Sequence, residues 1–181
     1  MTTTPWQDGV YAALKKAGVR QIAYVPDAGH SRLIELAHAD NDMHVVVCTT
    51  EEEGVALAMG AHLGGQRACL LMQSSGVGNT INMVGLPTTM HAPFLTLITM
   101  RGEWGEFNGW QVPMGQGTEP VLKAMGVHVK RAESKEEVVD MVAAAASLAF
   151  GSIIPVAVLF SQKLIGAKVF VPTTENGEQE Q

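Results

Sequence analysis

Six short apolar runs, rich in β-branched residues, limit what this chain can fold into. They cover residues 21–26, 44–49, 68–73, 93–99, 127–131 and 154–160, and helix-like patterns cover 6–18, 30–40, 51–63, 76–90, 119–126 and 135–150. Strands that are apolar on both faces are typical of a parallel sheet covered by helices on both sides. Alternating strands and helices at this spacing imply right-handed crossovers. The pattern therefore predicts an α/β fold, a three-layer doubly wound parallel sheet.

The composition suits one globular domain, because 46% of the 181 residues are hydrophobic and 17% are charged. We expect this domain to fill residues 1–170, with a polar, disordered tail over 171–181. The net charge of −6 does not indicate a nucleic-acid surface. We find no run long enough to span a bilayer and no basic, apolar leader, so we expect no membrane partner and a cytoplasmic location. Cys48 and Cys69 lie inside apolar runs, which favours packed thiols over a disulfide or a metal site.

Ligands of such sheets bind beyond the carboxyl ends of the strands, near the point where the strand order reverses. Each of the first four apolar runs is followed by a polar or glycine-rich segment, at residues 25–30, 49–53, 73–79 and 100–106. Parallel strands bring their carboxyl ends to one edge of the sheet, so we expect these segments to converge there. The sequence therefore predicts a site at this edge.

Three consecutive glutamates, Glu51, Glu52 and Glu53, stand where the second strand passes into a helix. An anion at a buried strand end is costly unless the structure or the chemistry uses it. A purely structural reading accounts for two of them, because Thr50 and Glu53 fit a capping box and Glu52 favours the helix dipole. Glu51 has no role in this reading and is therefore the candidate for chemistry.

The segments after the other strands have two readings each. Residues 73–79 form either a tight turn with hydroxyl caps or an anion-binding turn at a helix start, but they match neither a P-loop nor a dinucleotide fingerprint. Asp27 is either a helix cap or a reactive group, and His30 is either a helix N-terminal residue or an acid–base group. The remaining histidines lack metal-ligand spacing and are interpreted as surface or packing residues: His38, His44, His62, His91 and His128.

Residues 101–111 hold two tryptophans, a phenylalanine and three glycines. This segment is too polar and glycine-rich for a regular element and too aromatic for a solvated linker. It is therefore a lid, a partner surface or a satellite hydrophobic cluster. Arg101 either contacts an anionic substrate group or pairs with Glu103 or Glu106 at the surface.

Together these segments resemble the sulfopyruvate decarboxylase α-subunit and phosphonopyruvate decarboxylase family, which carries the pyrimidine-binding domain of thiamine diphosphate enzymes. The similarity covers roughly residues 10–164, and its strongest markers are 25–27, 51–55, 72–79, 101–103 and 114–115. The family glutamate is followed by alanine at the seventh place and glycine at the ninth. Counting from Glu51 reaches Ala58 and Gly60, whereas counting from Glu52 or Glu53 does not. The resemblance therefore selects Glu51.

The resemblance also implies a role for each matching residue. Glu51 would hydrogen-bond N1′ of the aminopyrimidine and so promote removal of the proton from C2 of the thiazolium, and the cofactor would act as electron sink while carbon dioxide is lost. Asp27 would be a second catalytic group facing the substrate, and Pro26, Gly76 and Asn79 would border the cofactor. The residues expected near the substrate are His30, Gln73, Ser74, Arg101 and Gln111, with Arg32 as a further contact for a distal anion. Val112 replaces the histidine that follows this glutamine in the family, which leaves the substrate open.

The resemblance finally implies a partner. Family members hold the diphosphate and Mg²⁺ with a Gly-Asp-Gly segment in a second, similar domain, and this chain has neither the segment nor room for the domain. We therefore expect a separate β subunit that binds the metal, a hetero-oligomer with the active site between its chains, and no metal ligand on this chain. The expected activity is decarboxylation of sulfopyruvate or phosphonopyruvate. The alternatives are a non-catalytic α/β module that binds a nucleotide or phosphate at residues 76–79, and a degenerate subunit that has lost the chemistry.

Overall fold

A computed structural model describes residues 5–167 of the protein. The predicted tail over 171–181 lies outside the described residues. A six-stranded sheet forms the centre, with every strand pair parallel. In chain order the strands are β1 (Val19–Tyr24), β2 (His44–Val47), β3 (Arg67–Gln73), β4 (Phe94–Thr99), β5 (His128–Ala132) and β6 (Pro155–Phe160).

Eight helices connect and flank the strands of the described part. They are α1 (Trp6–Lys16), α2 (Ser31–His38), α3 (Glu51–Leu63), α4 (Ser74–Thr80), α5 (Gly85–Met90), α6 (Val112–Ala124), α7 (Val138–Ser152) and α8 (Gln162–Ile165), with single 3₁₀ turns at Ala28–His30 and Gly109–Gln111. No helix among residues 5–167 combines the length and the apolar character needed to cross a bilayer.

Two apolar cores lie on opposite faces of the sheet, which confirms the predicted three-layer α/β arrangement. On one face α1, α2 and α7 contribute side chains such as Leu14, Leu33 and Val142. On the other face α3 and α6 contribute Val55 and Leu122 among others. Both cysteines are buried, and both are free. The strands are therefore covered on both sides, as their continuous hydrophobicity predicts.

The strand order β2-β1-β3-β4-β6-β5 sets the position of the site. The chain passes from β1 outward to β2 and then back across β1 to β3, so the order reverses between β1 and β3. Crevices at such reversals, beyond the carboxyl ends of the strands, are where doubly wound sheets bind ligands. The segments after β1, β2, β3 and β4 all emerge at this edge.

Only the predicted helix over 51–63 keeps its bounds in the structure, and three of the others illustrate the differences. The predicted helix over 76–90 is two helices, α4 and α5, because Pro87 has no N–H and its ring would clash with the carbonyl of the residue four positions earlier. Helix α6 starts at Val112 rather than at 119, and Pro113 in its first turn has its φ already fixed for a helix. The predicted helix over 30–40 is α2, preceded by the 3₁₀ turn at Ala28–His30.

Candidate active site

Glu51 begins α3 directly beyond the end of β2, and only 8% of the residue is exposed. Its Oε2 accepts a hydrogen bond of 2.9 Å from Asn79 Nδ2 on α4. The rest of the carboxylate lies against the backbone of Gly76, where an added Cβ would stand 2.1 Å from Oε1. Within residues 5–167, Oε1 accepts no hydrogen bond, so this oxygen is available to a donor from outside the chain.

The capping predicted for the start of α3 is wrong in its details. Thr50 is the N-cap residue, but its side chain makes no capping hydrogen bond and its Oγ1 is buried without a partner in the described part. Glu53 accepts from the backbone N–H of Thr49, at 2.7 Å, rather than from that of Thr50. The glutamate therefore caps one residue earlier than the capping box predicts. Glu53 is still used structurally, which leaves Glu51 as the buried acid without such a role.

Asp27 follows β1 and joins three strand ends. Its Oδ1 accepts from Gln73 Nε2 at 2.9 Å, and its Oδ2 accepts from Thr99 Oγ1 at 2.5 Å. Gln73 is held in turn by Ser75, whose hydroxyl donates to Gln73 Oε1 at 2.9 Å. Burial alone would raise the pKa of Asp27, but the electrostatic interaction with the neighbouring His30 and the hydrogen bonds from Thr99 and Gln73 outweigh it and leave the pKa below its ordinary value. Asp27 is therefore a carboxylate at neutral pH.

His30 is completely buried beside Asp27. Burial lowers the pKa of His30 below its ordinary value, although Asp27 opposes this shift, so the ring is neutral at pH 7. Nε2 then donates to the carbonyl of Leu97, 3.1 Å away, and Nδ1 is buried without a partner in the described part. The ring also packs edge-on against Phe160. A fully buried ring presents no surface to a substrate, so the predicted substrate contact has no structural support.

Ser74 and Arg101 are used within the fold. The Ser74 hydroxyl is buried and accepts from the backbone N–H of Arg101 at 3.0 Å. The Arg101 guanidinium forms two 2.6 Å hydrogen bonds to Glu106, and their side chains are 8% and 4% exposed. This pairing raises the pKa of Arg101 and holds that of Glu106 far below its ordinary range. The sequence left Arg101 either to contact a substrate anion or to pair with a glutamate at the surface. In the structure it pairs with Glu106, and this ion pair is buried.

The remaining predicted site residues lie around this edge or away from it. Pro26 is exposed and stands two residues after the end of β1. Gln111 closes the loop after β4, and its Oε1 is buried without a partner among the described residues. Arg32 lies on α2 and pairs with Asp8 of α1, with distances of 2.9 and 3.0 Å between nitrogen and oxygen. The structure thus joins Glu51 with Gly76 and Asn79, joins Asp27 with Gln73, and commits Arg32 to a different ion pair.

Comparison with known proteins identifies the family. Residues 6–106 match the thiamine pyrophosphate enzyme family, N-terminal TPP-binding domain. The chain belongs to this family. The sulfopyruvate decarboxylase subunit alpha of Methanococcus maripaludis is 34% identical over 153 residues, which are 84% of this chain and 92% of that protein. The family predicted from the resemblance is therefore confirmed.

Two longer relatives match only part of their length. The sulfopyruvate decarboxylase of Methanosarcina acetivorans is 30% identical over 122 residues, which are 67% of this chain and 31% of that protein. The phosphonopyruvate decarboxylase of Streptomyces viridochromogenes is 35% identical over 96 residues, which are 52% of this chain and 24% of that protein. In both, most of the protein lies outside the segment that matches this thiamine pyrophosphate enzyme domain.

A solved structure has the same fold. The 2-oxoglutarate:ferredoxin oxidoreductase of Magnetococcus marinus superposes with a TM-score of 0.69 over 90% of this chain and 29% of its own, at 15% sequence identity. At this identity the likeness shows the fold alone. It agrees with the parallel, helix-covered sheet.

The arrangement around Glu51 fits an aminopyrimidine ring. Such a ring needs a carboxyl group that can share a proton with a ring nitrogen, and Glu51 Oε1 is an unpaired oxygen of a carboxylate whose other oxygen is already fixed by Asn79. Gly76 leaves room for this carboxylate, because a Cβ there would overlap the end of the Glu51 side chain. Residues 5–167 contain no cluster of three or more His, Cys, Asp or Glu side chains arranged to hold a metal ion.

Sequence reasoning missed two residues at this edge. Thr99 anchors Asp27, and Gln162 accepts from the backbone N–H groups of Glu103 and Trp104 at 2.9 Å. Thr99 carries a readable signal, because it is a polar residue at the end of an apolar strand. Gln162 carries none, since its role depends on β6 lying next to β4 in the sheet.

Proposed function

We propose that this chain is the α subunit of a thiamine diphosphate-dependent 2-oxo acid decarboxylase that acts on sulfopyruvate or phosphonopyruvate. The observation that carries this proposal is the buried Glu51 carboxylate, with one oxygen bound by Asn79 and the other lying free over Gly76. The similarity to the α subunit of Methanococcus maripaludis over 92% of that protein supports the same conclusion. We propose that the activity needs a separate partner subunit.

In this proposal, Glu51 shares a proton with the pyrimidine nitrogen through its Oε1 atom. By binding Oε2, Asn79 fixes the plane of the carboxylate and leaves Oε1 unpaired over Gly76. When bound, thiamine diphosphate supplies a nucleophilic carbon for the 2-oxo group and an electron sink for decarboxylation. General acid–base assistance of this kind contributes about 10²- to 10⁴-fold to a rate. The residue that sets this contribution is Glu51.

We propose that Asp27 is the second catalytic group and that it faces the substrate. Thr99 and Gln73 donate to its two oxygens and thereby fix its orientation. These hydrogen bonds, together with the interaction with His30, hold the pKa of Asp27 below its ordinary value, so Asp27 is ionised at neutral pH. His30 is then a buried support for Asp27. Gln73, at the end of β3, is half-buried and joins Asp27 to Ser75 through its side-chain amide.

We further propose that the partner subunit carries the diphosphate- and Mg²⁺-binding half of the site. The longer decarboxylases support this division, because they match this chain over only 31% and 24% of their length and so have a large further segment outside this domain. The cytoplasm remains the predicted compartment, in keeping with two free, buried cysteines.

The alternative of a phosphate-binding module at residues 76–79 is less favourable. The Glu51 carboxylate packs against Gly76, and a fixed negative charge there repels a phosphate. The hydroxyls of Ser74 and Ser75 are already engaged with Arg101 and Gln73. A degenerate subunit would have no need for a glycine and an asparagine that fit the carboxylate so closely.

The test is reconstitution of this chain with its partner subunit, thiamine diphosphate and Mg²⁺, assayed against sulfopyruvate, phosphonopyruvate and pyruvate. We expect turnover of one or both of the first two substrates and little activity from either subunit alone. Calorimetry separates the alternatives, because a phosphate-binding module binds inorganic phosphate without a partner. Phosphate binding by the isolated chain, together with no decarboxylation by the complex, would reject the proposal.

A further inference from the structure

The loop after β4 exposes aromatic side chains in a rigid frame. Residues 102–111, named here the aromatic loop, contain Trp104, Phe107 and Trp110, which are 52%, 55% and 84% exposed. They are three of the seven large exposed hydrophobic residues of the described part and the only aromatic ones among them. Concentrations of exposed aromatic surface on folded proteins mark interaction sites.

The frame of the loop is fixed by buried polar contacts. The Glu106 carboxylate accepts from the guanidinium of Arg101, from the backbone N–H of Asn108 at 3.0 Å and from Gln162 Nε2 at 3.0 Å. The two ends of the loop meet, because a Cβ on Gly102 would stand 2.4 Å from the carbonyl oxygen of Gln111. A loop whose two ends are in contact and whose backbone is held by internal hydrogen bonds presents its side chains in fixed positions.

The loop lies at the edge of the sheet that carries the candidate active site. Its first anchor, Arg101, donates its backbone N–H to Ser74, the residue that begins the helix holding Gly76 and Asn79. A surface that covered the Glu51 carboxylate from outside the chain would therefore border this loop.

The exposed area has the size of an interface core. Tryptophan and phenylalanine side chains each have a surface area of roughly 150–250 Å². At the exposed fractions given above, Trp104, Phe107 and Trp110 together expose about 400 Å². Each side of a standard protein–protein interface contributes about 800 Å². Tryptophan is also among the residues that dominate binding energy at such interfaces.

We propose that the aromatic loop is the docking surface for the partner subunit that completes the active site. This inference rests on the proposed function, because that function requires a second subunit at this edge. The occupant is an apolar surface of that subunit, which buries Trp110 at its centre and the other two aromatic residues beside it. Docking there places the partner next to Glu51 and closes the site against water.

The experiment measures the Kd between the tagged chain and the subunit that copurifies in its native complex, by titration calorimetry. Trp110→Ser and the double variant Trp104→Ser/Trp110→Ser are compared with Leu63→Ser. Leu63 is 75% exposed, but it ends α3, which runs from the site edge to the opposite edge of the sheet. We expect a Kd at least tenfold higher for Trp110→Ser, a larger rise for the double variant, and a change below twofold for Leu63→Ser.

A second readout uses fluorescence. The third tryptophan of the chain, Trp6, stacks edge-on against Phe160 with ring centres 5.4 Å apart, and Trp6→Phe leaves only the loop tryptophans. Their emission should shift to shorter wavelength when the partner binds. An unchanged Kd for the double variant overturns the inference, and so does self-association of the isolated chain that Trp110→Ser abolishes. Decarboxylation is scored separately: a complex that depends on Trp110 but has no activity rejects the proposed function and leaves the docking surface standing.

Discussion

The Glu51 carboxylate lies directly over the Cα of Gly76, so close that a single added carbon would overlap its Oε1 at 2.1 Å. These residues are 25 positions apart and belong to different helices, and their contact fixes where the acid points. Gly76→Ala therefore should move the carboxylate and leave the fold intact, because the obstructed atoms are at the end of a flexible side chain. We expect kcat of the reconstituted complex to fall at least ~10²-fold, as misplacements of about 1 Å do.

Gly78→Ala is the matched control for this substitution. It changes the same helix by the same methyl group, but the nearest atom to the new Cβ is Met114 Sδ, at an ordinary contact distance of 3.5 Å. Its kcat should stay within about twofold of the wild type, given that no strained contact arises. Thermal unfolding of both variants checks the fold. Equal kcat values for the two variants would contradict the positioning of Glu51 by Gly76.

Asn79 should act through Glu51. Asn79→Leu keeps the approximate shape of the side chain but removes the N–H donor that binds Glu51 Oε2. A hydrogen bond to a charged group is worth about 1.5–3 kcal/mol, so we expect kcat/KM to fall roughly 10- to 100-fold. The control is Asn82→Leu at an exposed position three residues further on. A similar loss in both variants would indicate a general structural effect instead of an action on Glu51.

The buried pair of Arg101 and Glu106 should be a large contributor to stability. Glu106→Ala leaves the guanidinium buried without a counter-charge, and such changes cost about 3–5 kcal/mol. The control is Glu119→Ala, which breaks an exposed pair with Lys123 worth about 0.3–0.5 kcal/mol. Urea unfolding measures both. A loss below 1 kcal/mol for Glu106→Ala would show that the pair is not the anchor of the aromatic loop.

The same pair predicts a pH dependence. Arg101 lowers the pKa of Glu106 in the folded state, so the folded protein binds fewer protons there than the unfolded chain. The stabilisation is therefore fully present above the unfolded pKa of about 4.3 and is lost as the pH falls below that value. The difference in unfolding free energy between wild type and Glu106→Gln should shrink from pH 5 toward pH 2. A difference that stays constant over this window would contradict the assignment.

His91 offers a stabilising substitution away from the site. It is exposed and ends α5 in the left-handed conformation, with φ of 50°. Left-handed backbone costs a residue with a Cβ about 1–2 kcal/mol, so His91→Gly should stabilise the protein by about 1 kcal/mol. His128→Gly, at an exposed position of strand β5, should destabilise it instead. Thermal unfolding with the same sign for both variants would contradict this account.

The fold was predictable because its signal is local. Continuous apolar strands separated by amphipathic segments specify a covered parallel sheet, and the strand ends specify the edge where Glu51, Asp27 and Gln73 lie. The helix boundaries around Pro87 and Val112 were less readable, since prolines and glycines at helix starts look like loops. Contacts that depend on strand order, such as the one from Gln162 to the aromatic loop, have no local signal at all. The burial of His30 and Arg101 could not be read either, because it is set by neighbours distant in the sequence.

The central claim is that Glu51 activates the cofactor, and it is tested most directly without substrate. The measurement is the rate at which deuterium from the solvent replaces the C2 proton of thiamine diphosphate bound to the reconstituted complex. Glu51→Gln should slow this exchange by about 10²- to 10⁴-fold, whereas Glu52→Gln at the exposed neighbouring position should leave it unchanged. Exchange at the wild-type rate in a folded Glu51→Gln complex that still binds the cofactor would contradict the account.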